Sequence, residues 1–161
     1  MPQEALYALA VVVGYLAGSI PFGLVLVKAA GLGDIREIGS KSIGATNVLR
    51  TGRKDLALAT LLLDSLKAGI VALGFTYFGG REAGMIAGAA AFLGHCYPVW
   101  LGFKGGKGVA TYVGLLACIT PLKGLLVGGP IWLGVFALTR ISSLSALVAA
   151  VAVPPGAYLL G

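Results

Sequence analysis

The sequence predicts an all-α integral membrane protein. The expected architecture is a polytopic bundle of six spans, its N-terminus outside and its polar Gly/Ser/Lys loops in the cytoplasm. Three observations carry that prediction. Of 161 residues, 58% are hydrophobic and 11% charged, with mean hydropathy +0.95, whereas a soluble domain has about a quarter charged residues. Apolar stretches of helical length recur along the whole chain. Basic residues gather in alternate connecting segments. This composition excludes a disordered chain, a secreted disulfide scaffold and an ordinary soluble enzyme.

A bilayer core of about 30 Å takes roughly 20 helical residues. Residues 6–27 form the first expected span. Only Glu4 is charged ahead of it, so it lacks the basic leader of a cleaved signal peptide. Residues 56–78 form the second. Residues 83–101 form the third, kinked or ended by Pro98. Residues 109–122 form a short fourth that meets Pro121. Residues 125–139 form the fifth, and residues 144–160 the sixth, interrupted by Pro154-Pro155. The whole chain, 1–161, reads as one polytopic membrane domain.

Charge orients this bundle. Lys28, Arg36, Lys41, Arg50, Arg53 and Lys54 precede the second span, Lys104 and Lys107 follow the third, and Arg140 separates the last two. Nine basic residues thus face one side, against Arg81 and Lys123 on the other, which places the nine inside. Rows of small residues (Gly14 and Gly18; Gly80, Gly84 and Gly88; Gly124 and Gly128) predict close helix packing. Cys96 and Cys118 have no metal or redox spacing and read as buried small hydrophobes.

Three of the inward-facing segments combine glycine, hydroxyl and basic side chains, a mixture suited to oxyanions. Glycine lets N–H groups converge on a phosphate, while Lys and Arg supply charge. Segment 34–50 carries Arg36, Gly39, Ser40, Lys41, Ser42, Gly44, Thr46, Asn47 and Arg50. Thr46 or Asn47 is expected to cap a helix running toward Arg50. Segment 94–111 carries His95 and the Lys104-Gly105-Gly106-Lys107 turn, whose glycines permit close backbone approach to an anion. It is not a Walker loop, since only three residues separate Gly102 from Gly106 and Gly108 stands in the Ser/Thr position. Segment 140–144 adds Arg140, Ser142 and Ser143. Asp64 and Lys67 lie three apart within a span and are able to pair. His95 reads as either a general base or a buried structural histidine.

Absences narrow the chemistry. No His-x₄-Asp pair and no Gly-x-Ser-x-Gly elbow occurs, so covalent Ser-His-Asp catalysis has little support. No metal and no cofactor is expected, and the net charge of +6 reads as topology signal and anion ligand rather than nucleic-acid binding.

At Gly18-Ser19-Ile20-Pro21-Phe22-Gly23, at Arg36 through Arg50, at Gly94-His95 through Thr111 and at Arg140-Ile141-Ser142-Ser143, the chain resembles the bacterial membrane acyl-phosphate:glycerol-3-phosphate acyltransferases. The match keeps motif order along essentially the whole chain. It departs at Lys41 and Ser42, where the family has Gly-Asn. It departs again at the C-terminus, because family members carry a seventh span and a further segment with functional His and Asn. The chain is therefore expected either to be a fragment or to lack part of the site.

The resemblance implies transfer of a fatty acyl group from acyl phosphate to the 1-hydroxyl of sn-glycerol 3-phosphate. The products are 1-acyl-glycerol 3-phosphate (lysophosphatidic acid) and phosphate, at the cytoplasmic face of the inner membrane, in the first step of phospholipid synthesis. Ser40, Asn47, Arg50 and Lys104 are the expected catalytic residues. Arg36, Gly39, Gly44, Thr46, Gly105, Gly106, Lys107, Ser142 and Ser143 are the expected substrate-binding residues. The expected partners are the two substrates and membrane lipid. A small transporter or channel for a phosphorylated metabolite is the rival, and a non-catalytic membrane scaffold a weaker one.

Overall fold

The computed structural model describes residues 1–159, apart from the side chains of residues 121–123, 125, 142, 143, 154 and 157. Its regular structure among the described residues is helical: α1 (Gln3–Gly18), α2 (Phe22–Ala29), α3 (Ala45–Val48), α4 (Lys54–Cys96), α5 (Val109–Ile119), α6 (Pro121–Thr139) and α7 (Ser142–Leu159), with short 3₁₀ turns between. The chain forms two compact units, Met1–Leu115 and Leu116–Gly161.

In the first unit the expected first span is broken. α1 ends at Gly18 and α2 starts at Phe22, because Pro21 lacks an N–H and disfavours helix at Ile20. The second and third expected spans are two arms of α4. They join at Gly80, whose φ of 81° no other residue type adopts cheaply. Gly80 is therefore the reversal point and has no packing neighbour for a Cβ, unlike the rest of its row. α4 ends at Cys96 rather than 101, two residues ahead of Pro98. Gln3–Ala29 and Lys54–Leu101 each contain an apolar helical window long enough to cross a bilayer.

Glycine sets the spacing between these helices. A Cβ at Gly14 would collide with the Ala87 carbonyl, and one at Gly18 with that of Ala91. Contacts that rise in step make α1 parallel to the second arm of α4. Gly79 beside Leu6, the Lys67–Ile20 hydrogen bond and Gly23 beside Thr60 make α1 and α2 antiparallel to the first arm. Segments 30–53 and 97–108 consequently emerge at the same end of the unit. Leu58, Leu62, Leu66 and Ile70 stay exposed in a row along α4, a face that suits lipid.

The second unit is built on α6 and α7. Gly128 meets Val153, and Gly156 meets Val127. Pro121 opens α6 as its first residue rather than closing the fourth span, a position where the missing N–H costs nothing. Pro154 and Pro155 each remove one intrahelical bond, yet α7 continues through both. Both cysteines are free and half-buried, not fully buried.

Candidate functional site

Segment 34–50 is organised around Asn47, which is 1% exposed. Its Oδ1 accepts the Ser40 N–H at 3.0 Å. Its Nδ2 donates to the carbonyls of Ile35 (2.9 Å), Ser42 (2.8 Å) and Ile38 (3.2 Å). The side chain expected to touch a phosphate is thus spent on the loop itself, and it shapes the site from within. The expected cap also differs. α3 is one turn, and Gly44 is its N-cap, accepting from Asn47 and Val48.

Around this peg the other residues separate into engaged and open groups. Asp34 receives both Nε (2.9 Å) and Nη2 (2.6 Å) of Arg36, with Lys28 at 3.3 Å. The Arg36 guanidinium holds the Asp34 carboxyl well below the usual carboxylate range. Arg36 is thereby neutralised locally. Arg50 is exposed, lies over Gly39 and has no acidic partner among the described residues. Gly39 takes φ 53°, and a Cβ there would run into Asn47 and Arg50. Ser40 and Thr46 are exposed and Ser42 half-buried. Ser42 Oγ accepts the Gly44 N–H at 3.4 Å.

The second segment folds back on α4. The Gly105 N–H donates to the Cys96 carbonyl (3.1 Å) and the Gly106 N–H to the His95 carbonyl (3.0 Å). These amides satisfy carbonyls that a helix end leaves open, so they face α4 rather than an anion. A Cβ on Gly105 would strike those carbonyls, and one on Gly106 the His95 ring. The anion-binding capacity of the turn therefore rests on Lys104 and Lys107, both exposed and without an acidic partner among the described residues.

The two segments meet through apolar contacts. Leu24, Val27, Ile35, Ile43, Val48 and Ala57 form one buried cluster, and Leu101 packs against it three residues before Lys104. Ser142 and Ser143 belong to the second unit, and their side chains lie outside the described residues.

Beneath this end lies a group whose members were legible one by one but not together. Lys67 Nζ is 2.8 Å from Asp64 Oδ1, 2.9 Å from the Ile20 carbonyl and 2.9 Å from His95 Nδ1. All three side chains are less than 10% exposed. The i,i+3 spacing predicts the Asp64–Lys67 pair; nothing local places His95, 28 residues on, beside it. Thr111 is also fully buried, and its hydroxyl has no hydrogen-bond partner among the described residues.

The chain resembles known proteins along nearly its whole length. Residues 8–160 match the family model for glycerol-3-phosphate acyltransferase. The chain is 80% identical over its full length to a glycerol-3-phosphate acyltransferase of Hyphomonas neptunium, covering 78% of that protein. It is 64% identical over 92% of its length to one from Maricaulis maris, covering 68% of it. Crystal structures of PlsY (YgiH), an integral membrane glycerol 3-phosphate acyltransferase, superpose with TM-scores of 0.86 (glycerol 3-phosphate form, 38% identity) and 0.85 (lysophosphatidic acid form, 37%). Each spans 96% of this chain, which covers 78% and 77% of theirs. Helical structure among the described residues, a loop pegged by Asn47 and a lysine turn at the same end of the first unit accompany similarity along nearly the whole sequence: the chain belongs to the glycerol-3-phosphate acyltransferase family.

Proposed function

We propose that this membrane enzyme transfers a fatty acyl group from acyl phosphate to the 1-hydroxyl of glycerol 3-phosphate. The observation that carries this reading is the pairing of two cation-bearing segments at one end of a lipid-compatible helical unit. Arg50 sits on the Asn47-pegged loop, and Lys104 and Lys107 on the adjoining turn. Both substrates carry phosphate, and the donor also carries an acyl chain that an apolar bundle accommodates. The excess of basic residues puts this end in the cytoplasm, in a six-span arrangement of the bacterial inner membrane.

Acyl phosphate is a mixed anhydride, so the reaction calls for positioning and charge stabilisation more than for a covalent nucleophile. The acceptor's 1-oxygen attacks the acyl carbon, the bond from that carbon to the phosphate oxygen breaks, and inorganic phosphate leaves. Gly39, Ser40 and Thr46 line the donor's phosphate, with Gly44 and Asn47 holding their loop in shape. Arg50 and Lys104 hold the phosphate of the acceptor, and Lys107 adds charge beside them. Arg36 serves the loop through Asp34. The hydroxyl proton passes to the acceptor's own phosphate, whose second pKa is about 6.

The test is donor choice by the purified protein in detergent. Palmitoyl phosphate and palmitoyl-CoA are offered separately with glycerol 3-phosphate, and lysophosphatidic acid is measured. The reading expects product from palmitoyl phosphate alone. Product from palmitoyl-CoA at an equal rate contradicts it. Glycerol 3-phosphate uptake into liposomes without acyl transfer points to the transporter instead.

A further inference from the structure

We infer that His95 is a fixed hydrogen-bond donor rather than a base: Lys67 and Asp64 hold its Nε2–H toward an anionic substrate oxygen at the Lys104–Lys107 turn. The inference deepens the acyl-transfer reading and rests on it for the identity of the oxygen.

Lys67 decides the tautomer. Two of its partners, the Asp64 carboxylate and the Ile20 carbonyl, are acceptors only. An ammonium has three N–H donors and no lone pair. Its third neighbour, His95 Nδ1 at 2.9 Å, therefore accepts. A neutral imidazole that accepts at Nδ1 carries its proton on Nε2. The Asp64 carboxylate balances the ammonium charge and stands 3.6 Å from Nδ1.

The remaining nitrogen lies against Gly106 of the lysine turn. A Cβ on Gly106 would fall against Nε2, so the ring edge lies directly under the lysine turn. No described residue accepts from Nε2, although His95 is 3% exposed. The groups against the ring are Asp64 and Lys67 from the first arm of α4 and Gly106 of the lysine turn. With Lys104 and Lys107 unpaired among the described residues on the turn that carries Gly106, an N–H at Nε2 suits an anionic oxygen. Asp64 and Lys67 act through the ring and are positioning residues.

His95 is the single histidine of this chain, so nitrogen NMR of ¹⁵N-histidine-labelled protein in detergent reads one ring. The expected spectrum at neutral pH has Nε2 protonated and Nδ1 bare. A proton on Nδ1, or on both nitrogens, overturns the inference with no substitution needed. In folded Lys67→Met the proton is expected to move toward Nδ1, which then faces Asp64. An unchanged tautomer removes Lys67 from its role. In kinetics, His95→Gln offers an amide N–H near the Nε2 position and is expected to keep kcat/KM within about tenfold, whereas His95→Leu loses about a hundredfold or more. Equal losses in both contradict a donor. A spectrum with Nδ1–H alongside normal acyl transfer rejects this inference alone, whereas Nε2–H without any turnover rejects the reaction.

Discussion

Asn47 Oδ1 accepts the Ser40 N–H at 3.0 Å while the same side chain's Nδ2 binds carbonyls on both sides of that residue. One buried amide thus fixes a loop that has only single-turn helices of its own. Replacing Asn47 with Ala leaves several buried backbone groups unpaired and is expected to cost about 2–4 kcal/mol. Asn47→Asp keeps the acceptor but sets a carboxylate against three carbonyls, so it is expected to be worse. Thermal unfolding in detergent ranks the two, and the reverse order would refute the donor–acceptor account.

Lys41 occupies φ 57°, a region that L side chains enter at a cost of roughly 1–2 kcal/mol. Lys41→Gly is therefore expected to raise stability by about 1 kcal/mol and to leave acyl transfer near its original rate. A lower melting temperature contradicts the strain, and lost activity would mean that the charge itself is used.

Two α4 and α1 glycines separate packing from propensity. Gly18→Val drives a side chain into the Ala91 backbone and is expected to cost about 3 kcal/mol or more, since overpacking alone commonly costs 1–3. Gly74 has open space around a built Cβ, so Gly74→Ala is expected to stabilise by about 0.5–1 kcal/mol. Similar melting shifts for both would show that the α1–α4 crossing is not set by backbone contact.

Much of the architecture was legible because its signals are local. Hydropathy runs mark α1 and the two arms of α4, and Pro98 stands two residues beyond a real helix end, whereas Gly80 reads as a packing glycine and is the reversal point. Apolar composition hides the break at Ser19–Pro21, because a lost hydrogen-bond rung leaves no mark on hydropathy. Proline both ends and begins helices, so spacing alone does not show that Pro121 opens α6. The candidate site was legible as composition and not as wiring. Spacing marks Asn47, Gly105 and Gly106 as polar or permissive, yet only folding reveals that their hydrogen bonds close inside the protein. The Asp64–Lys67–His95 convergence depends on the reversal at Gly80, which no short motif encodes.

Acid sensitivity follows from Asp34. Its folded pKa lies below its unfolded value of about 4. Its contribution is therefore complete above that value and is lost as pH falls through the lower, folded value. The 28–36 segment is expected to stay protected from hydrogen exchange down to about pH 4 and to loosen only below it. In Arg36→Leu the largest cause of the depression is removed, so the segment is expected to be less protected at neutral pH and to lose less protection on acidification. An unchanged profile in that variant would assign the shift elsewhere.

The account turns on whether Arg50 and Lys104 grip the acceptor's phosphate while Arg36 serves the loop. Initial rates of palmitoyl transfer against glycerol 3-phosphate concentration, at saturating palmitoyl phosphate, test this directly. For Arg50→Ala and Lys104→Ala, kcat/KM for glycerol 3-phosphate is expected to fall by about tenfold to a hundredfold, the loss for a charged hydrogen bond of about 1.5–3 kcal/mol. Folding in both variants should be intact. Arg36→Ala should lower the melting temperature more than it raises KM. Unchanged kcat/KM in folded Arg50→Ala and Lys104→Ala would contradict the assignment of this end of the molecule to phosphate binding.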